Sequence, residues 1–159
     1  MVKCNMSLEI IPYKEELSEH FYEMNIEWLE KFFYVEPFDR EVLQFPDKFI
    51  ISPGGHIFFA LEDHEVLGTV ALLKHDQNVY ELTKMAVPPK HQGKQIGQQL
   101  LVHCIEFGRK NGFKKIILYS HTKLENAIYI YKKYGFKEID LETDNPYDRS
   151  DIKMQLLLE

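Results

Sequence analysis

The chain has 159 residues, 45% of them hydrophobic and 28% charged, with a formal net charge of −6. This length can bury a core without covalent staples, and this composition excludes a disordered chain. The acidic balance argues against a broad nucleic-acid-binding face, which requires a basic surface, although residues 90–94 hold a small basic patch.

Residues 6–12, "MSLEIIP", read as a short strand ending at Pro12. From Tyr13 to Phe33 the apolar positions Leu17, Phe21, Met24, Trp28, Leu29 and Phe32 recur at helical spacing. Pro37, Pro46 and Pro53 interrupt the next stretch and leave room for a second short helix near residues 39–45. "HIFFALE" and "VLGTVALLK", separated by "DHE", predict a β-hairpin. "VYELTKMAV", residues 79–87, is a third strand. Strict alternation there puts Tyr80, Leu82, Lys84 and Ala86 on one face and Glu81, Thr83, Met85 and Val87 on the other.

Residues 92–111 predict a helix with Ile96, Leu100, Leu101, Cys104 and Ile105 on its core face, and Gly112 as its C-terminal stop. "KKIILYS" suits a central strand, and residues 124–134 a further helix stopped by Gly135. "FKEIDLE" and "DIKMQLLL" are two last strands. The strand–helix–strand unit over residues 79–120 demands a parallel crossover, while the flanking runs suit antiparallel pairs. A mixed, mostly antiparallel α/β sheet in a single domain over residues 1–159 follows.

Cys4 and Cys104 are the only cysteines, too few for a disulfide framework or a cysteine-rich zinc site, and Cys104 falls on a buried helical stripe. The histidines show no metal-ligand spacing, so no metal is expected, and His91 and His103 are expected to face solvent. "MVKCNMSLEI" lacks the apolar core of a signal peptide, and no apolar run reaches the length of a membrane helix. The expectation is a cytoplasmic protein with neither membrane nor nucleic acid as a partner.

The stretch "AVPPKHQGKQIGQQLL", residues 86–101, carries the chemistry. Pro88 and Pro89 end the strand's hydrogen-bonding, and Gln92–Gly97 then enter a helix whose first amides have no internal partners. Those amides and the positive end of the helix dipole form an anion site. Gly93 and Gly97 admit a ligand to the backbone, and Lys90 and Lys94 add charge. A plain strand-to-helix corner would also carry such residues.

Together with "NAIYIYKKYGF", the segment "ELTKMAVPPKHQGKQIGQQLL" resembles the GNAT superfamily of N-acetyltransferases. Its members carry a strand ending in Met/Leu-x-Val, then Gln/Arg-x-x-Gly-x-Gly/Ala opening a helix, and later Tyr-x-x-x-Gly-Phe. The resemblance covers residues 57–137. One position departs from it: Gln92 and Gly97 fill the outer places of the phosphate motif, but Gln95 stands where the central glycine is usual.

The resemblance implies acetyl-CoA as cosubstrate, bound where two parallel central strands, 79–87 and 116–120, splay apart. It places Met85, Ala86 and Val87 along the thioester arm, with the Met85 amide facing the thioester oxygen and stabilising the charge of the tetrahedral intermediate. It places Gln92, Gly93, Lys94, Gln95, Gly97 and Gln98 around the pyrophosphate, and Asn126 against CoA, with Leu124 in the place where such an asparagine usually stands. Glu81 resembles the strand glutamate used as general base, and Tyr131 the tyrosine that protonates the departing thiolate. Each has a plainer alternative: a paired or solvated glutamate and an aromatic core residue. The implied partners are acetyl-CoA and a small-molecule or peptide amine, in an assembly compatible with a homodimer. The rival expectation is a catalytically degenerate acyl-CoA-binding sensor or regulator. Gln95 favours it, and Glu81 and Tyr131 oppose it.

Overall fold

The computed structural model describes residues 8–158. Seven strands form one sheet: β1 (Glu9–Pro12), β2 (His56–Glu62), β3 (Glu65–Asp76), β4 (Val79–Ala86), β5 (Lys115–Ser120), β6 (Lys137–Ile139) and β7 (Ile152–Leu157), in the spatial order β1-β2-β3-β4-β5-β7-β6. Among the described residues only β4 and β5 run parallel. Among the described residues four α-helices complete the fold: α1 (Ser18–Phe32), α2 (Pro37–Gln44), α3 (Ile96–Lys110) and α4 (Glu125–Lys133). The mixed sheet and the crossover through α3 agree with the sequence-based expectation.

Local chemistry explains the joints. The β2–β3 turn is Asp63-His64, with φ of 51° and 69°, the left-handed pair whose twist matches a two-residue hairpin. Pro37 opens α2 at a position that has no amide bond to lose. There the Glu36 and Asp39 side chains satisfy each other's backbone amides in a capping box. At the end of α4, Gly135 has φ of 99°, and the Phe136 and Gly135 amides donate to the carbonyls of Tyr131 and Lys132, both at 3.0 Å. This closure, with the Tyr131 and Phe136 rings 5.8 Å apart, is the physical content of the Tyr-x-x-x-Gly-Phe spacing.

The sheet is buried on both faces. On one, Leu100, Leu101 and Cys104 of α3 pack on Phe58, Leu72, Leu82 and Ile116. On the other, Phe21 and Leu29 of α1 and Val42 and Leu43 of α2 pack on Ile57, Phe59 and Ala71. Each such side chain removed from water contributes about 1.5–3 kcal/mol. Burial pushes the Cys104 thiol pKa up, as for a structural cysteine; Cys4 lies outside the described residues.

Three expectations need correction. First, the helix expected from residue 92 starts at Ile96; the four residues before it turn the chain, with Gly93 and Gln95 both left-handed, φ 84° and 61°. Second, the alternation of β4 fails at Lys84, which has φ of 54°. Two steps on β3, Thr69 to Ala71, face three on β4, Ala86 to Thr83, and this bulge shifts the remaining side chains to the opposite face. Lys84 therefore joins Glu81 and Thr83 around Tyr147, while Met85 packs with Tyr80 and Leu82 on the α3 side. Third, His91 is only 6% exposed and bonds Glu65 at 3.1 Å, and His103 packs edge-on against Phe58. The Glu65 carboxylate holds the first ring and the Phe58 ring packs on the second.

Candidate active site

β4 and β5 pair only from Val79 to Glu81. Beyond that point β5 continues with β7 as far as Ser120, and the bulge at Lys84 carries β4 away from it. A cleft of about 230 Å³ opens at the divergence. Its lining includes Met85, Val87, Gln92, Leu124, Ala127 and Tyr131 towards α3 and α4. Towards α1 and the loop before β7 it includes Trp28, Phe33, Lys84, Tyr147 and Arg149.

Four of the sequence-derived candidates meet in this cleft: Met85, Val87, Gln92 and Tyr131. Ala86, between Met85 and Val87 in the chain, is buried. The Gln92 side-chain Nε2 donates to the Val87 carbonyl at 3.1 Å and ties the turn to the strand end. Gly93, Lys94 and Gln95 are exposed on that turn, and Gly97 and Gln98 lie in the first turn of α3. No side chain caps α3, and its ladder begins with the Gln99 amide on the Gln95 carbonyl. The amides of Ile96, Gly97 and Gln98 are thus left as donors. A Cβ on Gly97 would stand 3.4 Å from Met85 Sδ, in ordinary contact, so the glycine is not required by packing there.

Gln95 meets the backbone demand that makes glycine usual at its position. Its left-handed conformation costs a non-glycine residue about 1–2 kcal/mol, and its exposed side chain does not fill the cleft. Tyr131 sits in apolar surroundings, and burial pushes its phenol up to about 12. It therefore remains a proton donor across the physiological range.

The remaining two candidates, Asn126 and Glu81, also lie outside the cleft lining. Asn126 is exposed on α4, while Leu124 and Ala127 line the cavity. Glu81 is only 2% exposed, with Oε1 2.6 Å from His75 Nε2 and Oε2 accepting the Tyr147 hydroxyl at 2.7 Å. Tyr147, which does line the cleft, links the carboxylate to it. Burial, reinforced by the Glu81 charge, holds the Tyr147 phenol well above its ordinary value. His75, bonded to Glu81, is raised above the ordinary histidine value and is half-exposed on the other side of the carboxylate.

The sequence reading missed Lys84, Tyr147, Arg149 and their partner Asp39. Asp39 is fully buried and accepts from both Nη atoms of Arg149, at 2.6 and 3.1 Å, and from Lys84 Nζ at 2.5 Å. Arg149 also donates to Glu36 at 2.9 Å. Burial would raise the Asp39 pKa, but the Arg149 and Lys84 bonds and charges hold it below the usual carboxylate value. Burial lowers the Lys84 pKa, with Asp39 opposing. The usable sequence signal was "NPYDRS": an aromatic and an arginine inside an otherwise polar loop.

The model of the acetyltransferase (GNAT) family matches residues 17–136. The chain belongs to the GNAT family. An Escherichia coli (strain K12) protein named uncharacterized N-acetyltransferase YjgM is 32% identical over 95 residues, a match covering 57% of each chain. The structure of a GNAT-family acetyltransferase from Staphylococcus aureus Mu50 superimposes with a TM-score of 0.84 at 25% identity, over 96% of this chain and 100% of that one. A Thermoplasma acidophilum PaiA N-acetyltransferase in complex with coenzyme A shares the fold with a TM-score of 0.71 at 22% identity, over 96% and 99% of the two chains. Among the described residues, no helix is long and apolar enough to cross a membrane.

Proposed function

We propose that this GNAT-family protein is a cytoplasmic, acetyl-CoA-dependent N-acetyltransferase, acting as one domain and passing the acetyl group directly to a primary amine. The observation that carries the reading is the opening between β4 and β5, where Met85, Val87 and Tyr131 line one cleft. The residues suit CoA: the free amides of Ile96, Gly97 and Gln98, with Gly93, Lys94 and Gln95 on the preceding turn, would hold a pyrophosphate. Bound acetyl-CoA would supply an activated acyl carbon.

The chain's own groups then divide the work. The Met85 amide donates a hydrogen bond to the acyl oxygen as negative charge builds there. Tyr131 gives its proton to the departing sulfur, which otherwise leaves as a bare thiolate. The attacking nitrogen must lose a proton, and Glu81 takes it through Tyr147: the amine proton passes to Tyr147 Oη as the phenol proton passes to Glu81 Oε2. His75, on the far side of Glu81, opens a route onward to solvent.

Thiol release from acetyl-CoA in the presence of a panel of amines tests the reading; amine-dependent release supports it. CoA binding without transfer to any amine would favour the sensor alternative. Tyr131→Phe keeps the ring and should slow single-turnover transfer ~10²–10⁴-fold at unchanged melting temperature. Glu81→Gln should lower turnover at neutral pH and flatten the acidic limb of the pH–rate profile, with CoA affinity nearly intact. An unchanged profile returns Glu81 to a structural role.

A further inference from the structure

Resting on the acetyltransferase reading, we infer that the acceptor amine also carries a carboxylate and an apolar or aromatic body, as an α-amino acid of that kind does. Among the described residues no aspartate or glutamate lines the cleft, and its basic members are Lys84, Arg149 and His121, the last 3.4 Å from Asp151. Trp28, Phe33 and Tyr119 supply aromatic wall. The charges of Glu36, Asp39, Lys84 and Arg149 sum to zero, yet they are layered. Arg149 and Lys84 border the cleft, with the Lys84 ammonium turned onto buried Asp39, and the two carboxylates do not border it.

Donor counting gives the same direction. Among the described residues, Lys84 gives one of its three N–H groups to Asp39, and Arg149 gives three of its five to Glu36 and Asp39. The two N–H groups left on Arg149 have no protein acceptor among the described residues, and a ligand carboxylate would complete them with charge-assisted bonds. Asp39 is already occupied by Arg149, Lys84 and the Glu36 amide, and Glu36 by Arg149 and the Asp148 amide. A polyamine's second ammonium would therefore find no free counter-charge in this cleft and would meet two cations. The same cations disfavour an ammonium at the reacting end, which helps deliver the nucleophile neutral. Asn25 lines this side and donates to the Phe21 carbonyl at 2.9 Å, which leaves its oxygen as an acceptor for an amine N–H.

The test compares kcat/KM with acetyl-CoA for L-phenylalanine, L-phenylalaninamide, 2-phenylethylamine and spermidine. The acid should exceed its amide roughly 10–100-fold, the worth of one hydrogen bond to a charged group, and spermidine should be the poorest of the four. Arg149→Lys keeps a charge beside Asp39 but loses the planar fork. It should raise KM for the acid and shrink the acid-to-amide ratio, with the KM for acetyl-CoA unchanged. Equal use of acid and amide, or a preference for spermidine, overturns the acceptor class while leaving the acetyltransferase reading standing. Absence of transfer to any of the four, by a protein that binds CoA, overturns both.

Discussion

The end of the cleft bordered by Met85, Val87, Gln92 and Tyr131 and the end bordered by Trp28, Lys84, Tyr147 and Arg149 are assembled in different ways. The first is largely backbone: a strand edge left unpaired, a turn with two left-handed residues, a helix with free amides. Its parts follow one another closely in the chain, so short motifs encode it. The second is side chains brought together from α1, α2, β4 and the loop before β7. Arg149 and Asp39 are 110 positions apart. Backbone chemistry suits a cosubstrate common to a family, and a side-chain assembly can change its acceptor without disturbing that frame.

If the acceptor end depends on mutual charge neutralisation, Asp39 is its weakest point. Asp39→Ala leaves Lys84, whose side chain is 2% exposed, and Arg149 without their shared partner. The expected loss is about 3–5 kcal/mol in urea unfolding. A loss below about 1 kcal/mol would mean that the network is dispensable and the two ends are less different than argued.

The cosubstrate end should respond to backbone access and ignore an exposed side chain. Gly97→Val should weaken CoA binding roughly tenfold, about 1.4 kcal/mol, measured by calorimetry. Gln95→Gly, which preserves the left-handed turn, should change the dissociation constant by less than about threefold, because that side chain is exposed. The reverse pattern would move the pyrophosphate away from the start of α3.

The smallest effect concerns pH. The hydrogen bond to Glu81 raises the His75 pKa in the folded state, against the opposing pull of its partial burial. Its contribution to stability is thus complete below the unfolded value of about 6.5 and is lost as pH rises through the folded value. The melting temperature of the wild-type protein relative to His75→Gln should fall as pH rises above the unfolded value of about 6.5. A constant difference would show that the His75–Glu81 contact is not an ion pair.

The same contrast explains what could be read from the sequence. Gly135 and Phe136 fixed the end of α4 and singled out Tyr131, because a helix stop is a local event with local residue preferences. Element order was legible for the same reason. The bulge was not: lysine is an ordinary strand-surface residue, and nothing nearby marks Lys84 as left-handed. Its consequence, Met85 turned to the α3 side and Glu81 left facing Tyr147, was invisible to strict alternation. The Asp39–Arg149–Lys84 cluster depends on which distant segments meet, which periodicity along one segment cannot report.

The central claim is that one cleft holds the acyl donor at its backbone-built end and the amine at its side-chain-built end. A crystal structure of the protein with CoA tests it most directly. The account predicts the pyrophosphate within hydrogen-bonding distance of the Ile96, Gly97 and Gln98 amides and the thiol directed towards Tyr131, with the space beside Trp28 and Arg149 left for the acceptor. CoA seated across Trp28, Tyr147 and Arg149, or bound outside the β4–β5 opening, would contradict it.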